Sequence, residues 1–216
     1  MTMRVIAVPV KSLAGAKRRV APDLTPLERG ALTLAMLEDV LDAAQAVTGW
    51  QTWVVSPDEV VLEIAVRRGA TSVPEEKPPL ASAVRQVERL ATEREVDALA
   101  VLPGDLPLIT TEALTAALRT LGPVVLAPSH DQMGTNLLLR RPPKAIPARF
   151  GPQSFRRHLD QAEARGLPAA VVDRRELSFD LDLPSDILTL LATGRRGRAR
   201  QVCLEMDLRE RLTAQG

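Results

Sequence analysis

Apolar and polar positions follow two alternating rhythms along this chain. Val5-Ile6-Ala7-Val8-Pro9-Val10 is nearly unbroken apolar sequence, the pattern of a strand buried on both faces, and it empties into a basic loop over 11–19. Thr25-Pro26-Leu27-Glu28 then combines an N-cap residue, a proline at the first helical position and an acid three residues after the cap. A long helix is predicted from there to about Val47. Residues 50–55 alternate as a strand, and Ser56-Pro57-Asp58-Glu59 repeats the capping arrangement, so a second helix is predicted to end near Gly69. Further strands are expected at 71–73, 98–102, 124–127, 136–140, 169–172 and 177–182, with helices filling most gaps.

Strands that alternate with helices need crossover connections, which put helices on both faces of a mainly parallel sheet. The predicted fold is α/β, a Rossmann-like three-layer sandwich. The interval 129–152 breaks the rhythm with a strand pair and several prolines, so an antiparallel excursion is expected there. The expected organisation is one domain over 1–193 and a basic C-terminal tail over 194–216. The cluster Gly194-Arg195-Arg196-Gly197-Arg198-Ala199-Arg200 reads as solvated tail, with RNA contact as the alternative.

Composition narrows the function. With 216 residues, 45% hydrophobic and 25% charged, the chain has enough apolar sequence to bury a substantial core. A formal net charge of +1 provides no strong overall field for nucleic acid or an anionic membrane. The absence of tyrosine removes one stacking residue that single-strand RNA binders use. A single cysteine, Cys203, allows neither an intramolecular disulfide nor a thiolate zinc cluster. With no signal-peptide layout and no long apolar span, a cytoplasmic protein without a membrane partner is expected.

Ligands in open α/β sheets gather at the carboxyl ends of strands, and four loops there carry chemistry. The first, Val10-Lys11-Ser12-Leu13-Ala14-Gly15-Ala16-Lys17-Arg18-Arg19, combines small residues with cations suited to phosphate. It has neither P-loop nor dinucleotide-fingerprint spacing, and by itself it also reads as solvated surface. The second delivers Asp105 after Pro103-Gly104, as a turn cap or a metal ligand. The third, Phe179-Asp180-Leu181-Asp182, sends two carboxylates to one face, where a hard cation such as magnesium relieves their repulsion. Asp182 has a competing reading as a residue that initiates the next helix, with Ser185 as a candidate N-cap. The fourth joins 131–136 with 150–155. There Gly151-Pro152 precedes a helix whose free amides favour an anion. His130 and His158 lack catalytic or metal context and read as surface or structural histidines, with no catalytic role assigned.

The segments VPVKSLAGAKRR, LPGDLPL, HDQMGTN, RFGPQSFRRH and FDLDLPSD, in this order, resemble the 2-phospho-L-lactate and phosphoenolpyruvate guanylyltransferases of coenzyme F420 biosynthesis. The resemblance implies a nucleotide-diphospho-sugar transferase-like fold, related to the molybdenum cofactor guanylyltransferases, and the use of GTP with Mg2+. It implies that Lys11 and Lys17 hold the triphosphate, with Val10, Ser12, Leu13, Ala14, Gly15 and Arg18 around it. Asp105, Asp180 and Asp182 would bind metal. Thr135, Gly151 and Ser154 would hold the carboxylate of a small phosphorylated acid. Relatives carry G-L-N-x-A where this chain has Pro79-Leu80-Ala81-Ser82-Ala83, which leaves base reading to main-chain groups or Ser82.

The implied reaction is attack by an acceptor phosphate oxygen on the α-phosphorus of GTP with release of pyrophosphate, the product passing to the next enzyme of the pathway. Another nucleotidyltransferase of this fold, or a silent nucleotide-binding relative, is the alternative reading. The residues do not choose among phosphoenolpyruvate, 2-phospholactate and 3-phosphoglycerate.

Overall fold

Long apolar strands bury both faces only if helices cover them from two sides, and the computed structural model, which describes residues 2–77 and 80–214, does this. The strands are β1 (Arg4–Pro9), β2 (Gln51–Ser56), β3 (Thr71–Pro74), β4 (Ala98–Val101), β5 (Val124–Pro128), β6 (Thr135–Arg140) and β7 (Ala169–Val171). Among the described residues they form one seven-stranded sheet in the order β3-β2-β1-β4-β6-β5-β7. β6 alone runs antiparallel to its neighbours, which is the excursion expected over 129–152.

Ile6, Val8 and Val54 turn to one face of the sheet and pack with α1 (Pro26–Gln45), α2 (Glu59–Arg67) and α4 (Thr111–Arg119). Val5, Ala7 and Trp53 turn to the other face and pack with α3 (Leu80–Glu93). α5 (Ser154–Glu163) covers Val124, Leu126 and Leu138. The α/β three-layer architecture is therefore present.

Local chemistry explains the helix starts. Thr25 accepts from the Glu28 amide while Glu28 accepts from the Thr25 amide, so the predicted capping box forms. The second helix begins differently from expectation. Ser56 closes β2, and Asp58 is the N-cap, its carboxylate accepting from Val60 N at 3.2 Å. The reason is competition: the Ser56 hydroxyl accepts from Asp58 N and so tightens a turn before the helix.

Two further expectations need correction. Residues 177–182 are not a strand: α6 (Arg175–Ser178) ends there, and an extended segment follows. Its alternation is real, since Phe179 and Leu181 are buried, but the surface they cover is a cluster with Val20, Leu24, Met36 and Ile187 rather than a sheet neighbour. Nor is the chain beyond Gly194 a solvated tail. It forms α8 (Arg198–Glu205) and α9 (Leu208–Thr213), which pack beside α7 (Pro184–Ala192) and bury Ala199, Cys203 and Leu208. Asp39 of α1 caps α8 from outside by accepting from the amides of Arg198 and Ala199 at 2.8 and 2.9 Å. Arg198 in turn pairs with Glu38, Asp39 and Asp42, so charge complementarity with α1 seats this segment. Among the described residues no helix is long and apolar enough to cross a membrane.

Candidate active site

The end of β1 delivers the basic loop, which is folded into two short 3-10 turns, Leu13–Gly15 and Arg18–Val20. Asp58 holds it from behind: its carboxylate accepts from Leu13 N at 3.0 Å and from the Ser12 hydroxyl at 3.4 Å. Lys17 adopts a left-handed backbone conformation, φ 50°, which turns its side chain inward.

The end of β4 delivers Gly104-Asp105 against this loop. A Cβ at Gly104 would lie 3.1 Å from Val10 Cγ2, so glycine lets the two segments touch. Leu181 N donates to Asp105 O at 3.2 Å and ties the 179–182 segment to the same place.

These three segments converge on one ammonium group. Lys17 Nζ, its side chain only 5% exposed, donates to Asp105 Oδ2 at 2.8 Å, to Asp182 Oδ1 at 3.2 Å and to Leu181 O. Burial alone would lower its pKa, but the charges of Asp105 and Asp182 more than offset that and raise it. Lys17 therefore stays charged. Arg19 reaches the other oxygen of Asp182 at 3.3 Å.

Asp180 sits differently. Its Oδ1 meets Asn136 Nδ2 at 3.2 Å and His130 Nδ1 at 3.3 Å. Burial raises its pKa, and the nearby charge of Asp105 raises it further. Asp105 and Asp180 are hard carboxylate donors that fit a divalent ion such as magnesium, which needs only one or two of them and takes its remaining ligands from phosphate and water. Asp182 is different, because its two oxygens already serve Lys17 and Arg19. Among the described residues no three acidic, histidine or cysteine side chains form a ready-made metal cage, although Asp105, Asp180 and Asp182 line the same cavity.

Asp182 is also not the residue that starts α7. That role belongs to Asp186, whose carboxylate accepts from Asp182 N and Leu183 N. Ser185 lies inside the helix.

On the far side, Thr135 opens β6 and Ser154 opens α5, with their hydroxyls 3.1 Å apart. Gly134 is needed between Ser129 and Thr135, because a Cβ there would lie 2.9 Å from Ser129 Oγ. The N-cap of α5, Gln153, provides no side-chain cap, and Gly151 has a φ of 111°. Backbone carbonyls serve the first amides instead: Ser154 N donates to Gly151 O at 3.1 Å and Phe155 N to Met133 O at 3.4 Å.

One cavity of about 780 Å³ joins these parts. Val10, Lys11, Gly15, Lys17 and Arg18 line one side, Asp105, Asp180 and Asp182 the floor, and Thr135, Gly151 and Ser154 the other side. Ser12, Leu13, Ala14 and Ser82 do not belong to the lining. Ser12 and Leu13 are engaged by Asp58, and Ser82 accepts from Arg85 at 2.8 Å. Pro79, in the altered segment, lies outside the described residues. Reasoning from sequence missed Asp58, Asn136 and His158; the Ser154–His158 spacing of four, which stacks both on one helix face, was the available signal for the last.

Residues 3–211 match the family described as guanylyl transferase CofC like, which takes in the C-terminal helices as well as the five motifs. The chain belongs to that family. A phosphoenolpyruvate guanylyltransferase of Rubrobacter xylanophilus is 43% identical over 190 residues, covering 87% of this chain and 93% of its own. A 3-phospho-D-glycerate guanylyltransferase of Phenylobacterium zucineum is 38% identical over 213 residues, covering 95% and 97%. A nucleotide-diphospho-sugar transferase candidate from Desulfovibrio desulfuricans G20 shares the fold, with a TM-score of 0.81 over 98% of this chain and 99% of its own, at 16% identity.

Proposed function

We propose that the protein transfers GMP from GTP to a small phosphorylated carboxylic acid and releases pyrophosphate. Phosphoenolpyruvate is the first acceptor to test, and 3-phospho-D-glycerate and 2-phospho-L-lactate are the alternatives, as relatives at up to 43% identity carry such names. The observation that carries this reading is one cavity with cations on one side, acids on its floor and the neutral hydroxyls of Thr135 and Ser154 on the other.

In this assignment the triphosphate lies along the first loop, within reach of Lys11, Lys17 and Arg18. Asp105 and Asp180 hold a magnesium ion, which when bound neutralises phosphate charge. Asp182 keeps Lys17 extended toward the floor. Thr135 and Ser154, with Gly151 beside them, take the acceptor's carboxylate, so its phosphate faces the α-phosphorus. No general base is needed, because a phosphate monoester has its second pKa near ~6 and is largely ionised at neutral pH. The protein's own contribution is alignment and charge compensation.

The direct experiment is mass-spectrometric identification of the product from GTP and an equimolar mixture of the three acids. A guanosine diphosphate ester of one acid supports the assignment. Pyrophosphate release with no ester of any of them, or GTP binding without turnover, removes it.

A further inference from the structure

His158 is a titratable residue that the reaction outlined above does not use. It is fully buried on α5, one turn after Ser154, with its ring edge-on to Phe150 at 5.2 Å between centroids. Both ring nitrogens are engaged: Nε2 lies 2.8 Å from the amide nitrogen of Arg149, and Nδ1 lies 3.0 Å from Thr135 Oγ1.

An amide nitrogen can only donate, so Nε2 must be the unprotonated acceptor. In a neutral ring the proton is then on Nδ1, and Nδ1 donates to Thr135 Oγ1. Burial, aided by the positive charges of Arg140 and Arg157, pushes the imidazole pKa down to about 3, so the ring is neutral at physiological pH.

The consequence follows from counting protons. Thr135 and Ser154 together own two hydroxyl protons, and their mutual bond at 3.1 Å uses one. With His158 donating to Thr135, the second proton has no internal acceptor in this chain of bonds. If Thr135 donates to Ser154, the Ser154 proton is left over; if Ser154 donates to Thr135, the Thr135 proton is left over. Had Nδ1 been the acceptor, it would have taken the Thr135 proton, Ser154 would have donated to Thr135, and none would remain. Both hydroxyls belong to residues lining the cavity.

We propose that His158 is a positioning residue for the acceptor: held in one tautomer by the Arg149 amide, it makes the Thr135–Ser154 pair present one hydroxyl proton to the acceptor's carboxylate. This rests on the assignment of that side of the cavity to the acceptor. It also explains why a pair of neutral hydroxyls, which can accept as readily as donate, would favour an anion.

Two measurements test it. Nitrogen-15 NMR of the native protein should find Nδ1 protonated and Nε2 bare near pH 7; a proton on Nε2 overturns the proposal without any substitution. In kinetics, His158→Leu should raise the acceptor KM roughly tenfold, the size of one hydrogen bond to a charged group, with the KM for GTP within about threefold. His158→Asn, whose amide can still donate to Thr135, should recover most of that loss. Equal damage to both KM values, no change with Leu, or no recovery with Asn would each overturn it. Thr135→Val separates the two levels of inference. If it leaves the acceptor KM unchanged, the acceptor subsite itself is misassigned; if it raises that KM while His158→Leu does not, only the role of His158 fails.

Discussion

Around the second half of α1, Glu38, Asp39 and Asp42 meet Arg68 and Arg198; around the cavity, Asp105 and Asp182 meet Lys17 and Arg19, with Asp180 beside them. The two clusters have similar composition and different physics. In the first, arginine forks answer carboxylates on neighbouring elements, water reaches most of the groups, and the result seats α8 against α1. In the second, the ammonium is buried, and Asp180 is left with the amide of Asn136 and the ring of His130 as its partners. Charge density alone therefore does not mark a site. A buried imbalance of charge, facing a cavity, does.

The largest expected contrast comes from removing the imbalance. Asp105→Asn and Asp180→Asn should each lower kcat by about 10²-fold or more, the scale seen when a preorganised electrostatic group is lost. Stopped assays of pyrophosphate release measure this, and full turnover in both variants would sink the metal assignment.

Lys17→Met should act on both binding and folding. It leaves Asp105 and Asp182 facing each other without their shared cation, and kcat/KM for GTP should fall about ten- to a hundredfold. Both carboxylates are about a third or more exposed, at 33% and 40%, so the loss of stability should be well short of that for a fully buried pair. Denaturant unfolding beside the kinetics resolves the two effects.

A third region, the neutral buried ring of His158, is predicted to respond to acid as neither cluster does. Its folded pKa of about 3 lies below the ordinary imidazole value of 6.5, so the unfolded chain binds the proton more readily. Its contribution to stability is complete above about pH 6.5 and declines as pH falls toward 3, amounting to a loss of about 2 kcal/mol by pH 5. Urea melts of the native protein and His158→Asn at pH 7 and pH 5 should diverge by that amount. Parallel pH dependence would show that the ring is not held neutral.

The smallest effects belong to the outer cluster. Asp39→Ala removes the carboxylate that caps α8 and should cost about 1–2 kcal/mol in unfolding free energy. Arg198→Gln should cost at most about 1 kcal/mol, as partly exposed pairs do, with steady-state kinetics unaltered. A large kinetic defect in Arg198→Gln would erase the distinction between the clusters.

The sequence by itself determined the α/β rhythm, the capping box at Thr25, the strands on either side of the antiparallel excursion, and the five segments that carry the family resemblance. These are local properties: periodicity and capping depend on neighbours within a turn or a strand. The same local logic misplaced Ser56 as a cap and read 177–182 as a strand, since one buried face looks alike whether a sheet or a cluster of side chains covers it. It also read Arg198 as solvent-facing, because its acidic partners lie on α1, more than 150 residues earlier. Tertiary structure alone decided which charges meet. Lys17 joins Asp105 across 88 positions and Asp182 across 165, and His158 turns from a histidine without context into the donor to Thr135. Such encounters depend on how whole layers pack, and in a close-packed interior a shift of a fraction of an ångström decides whether a hydrogen bond forms.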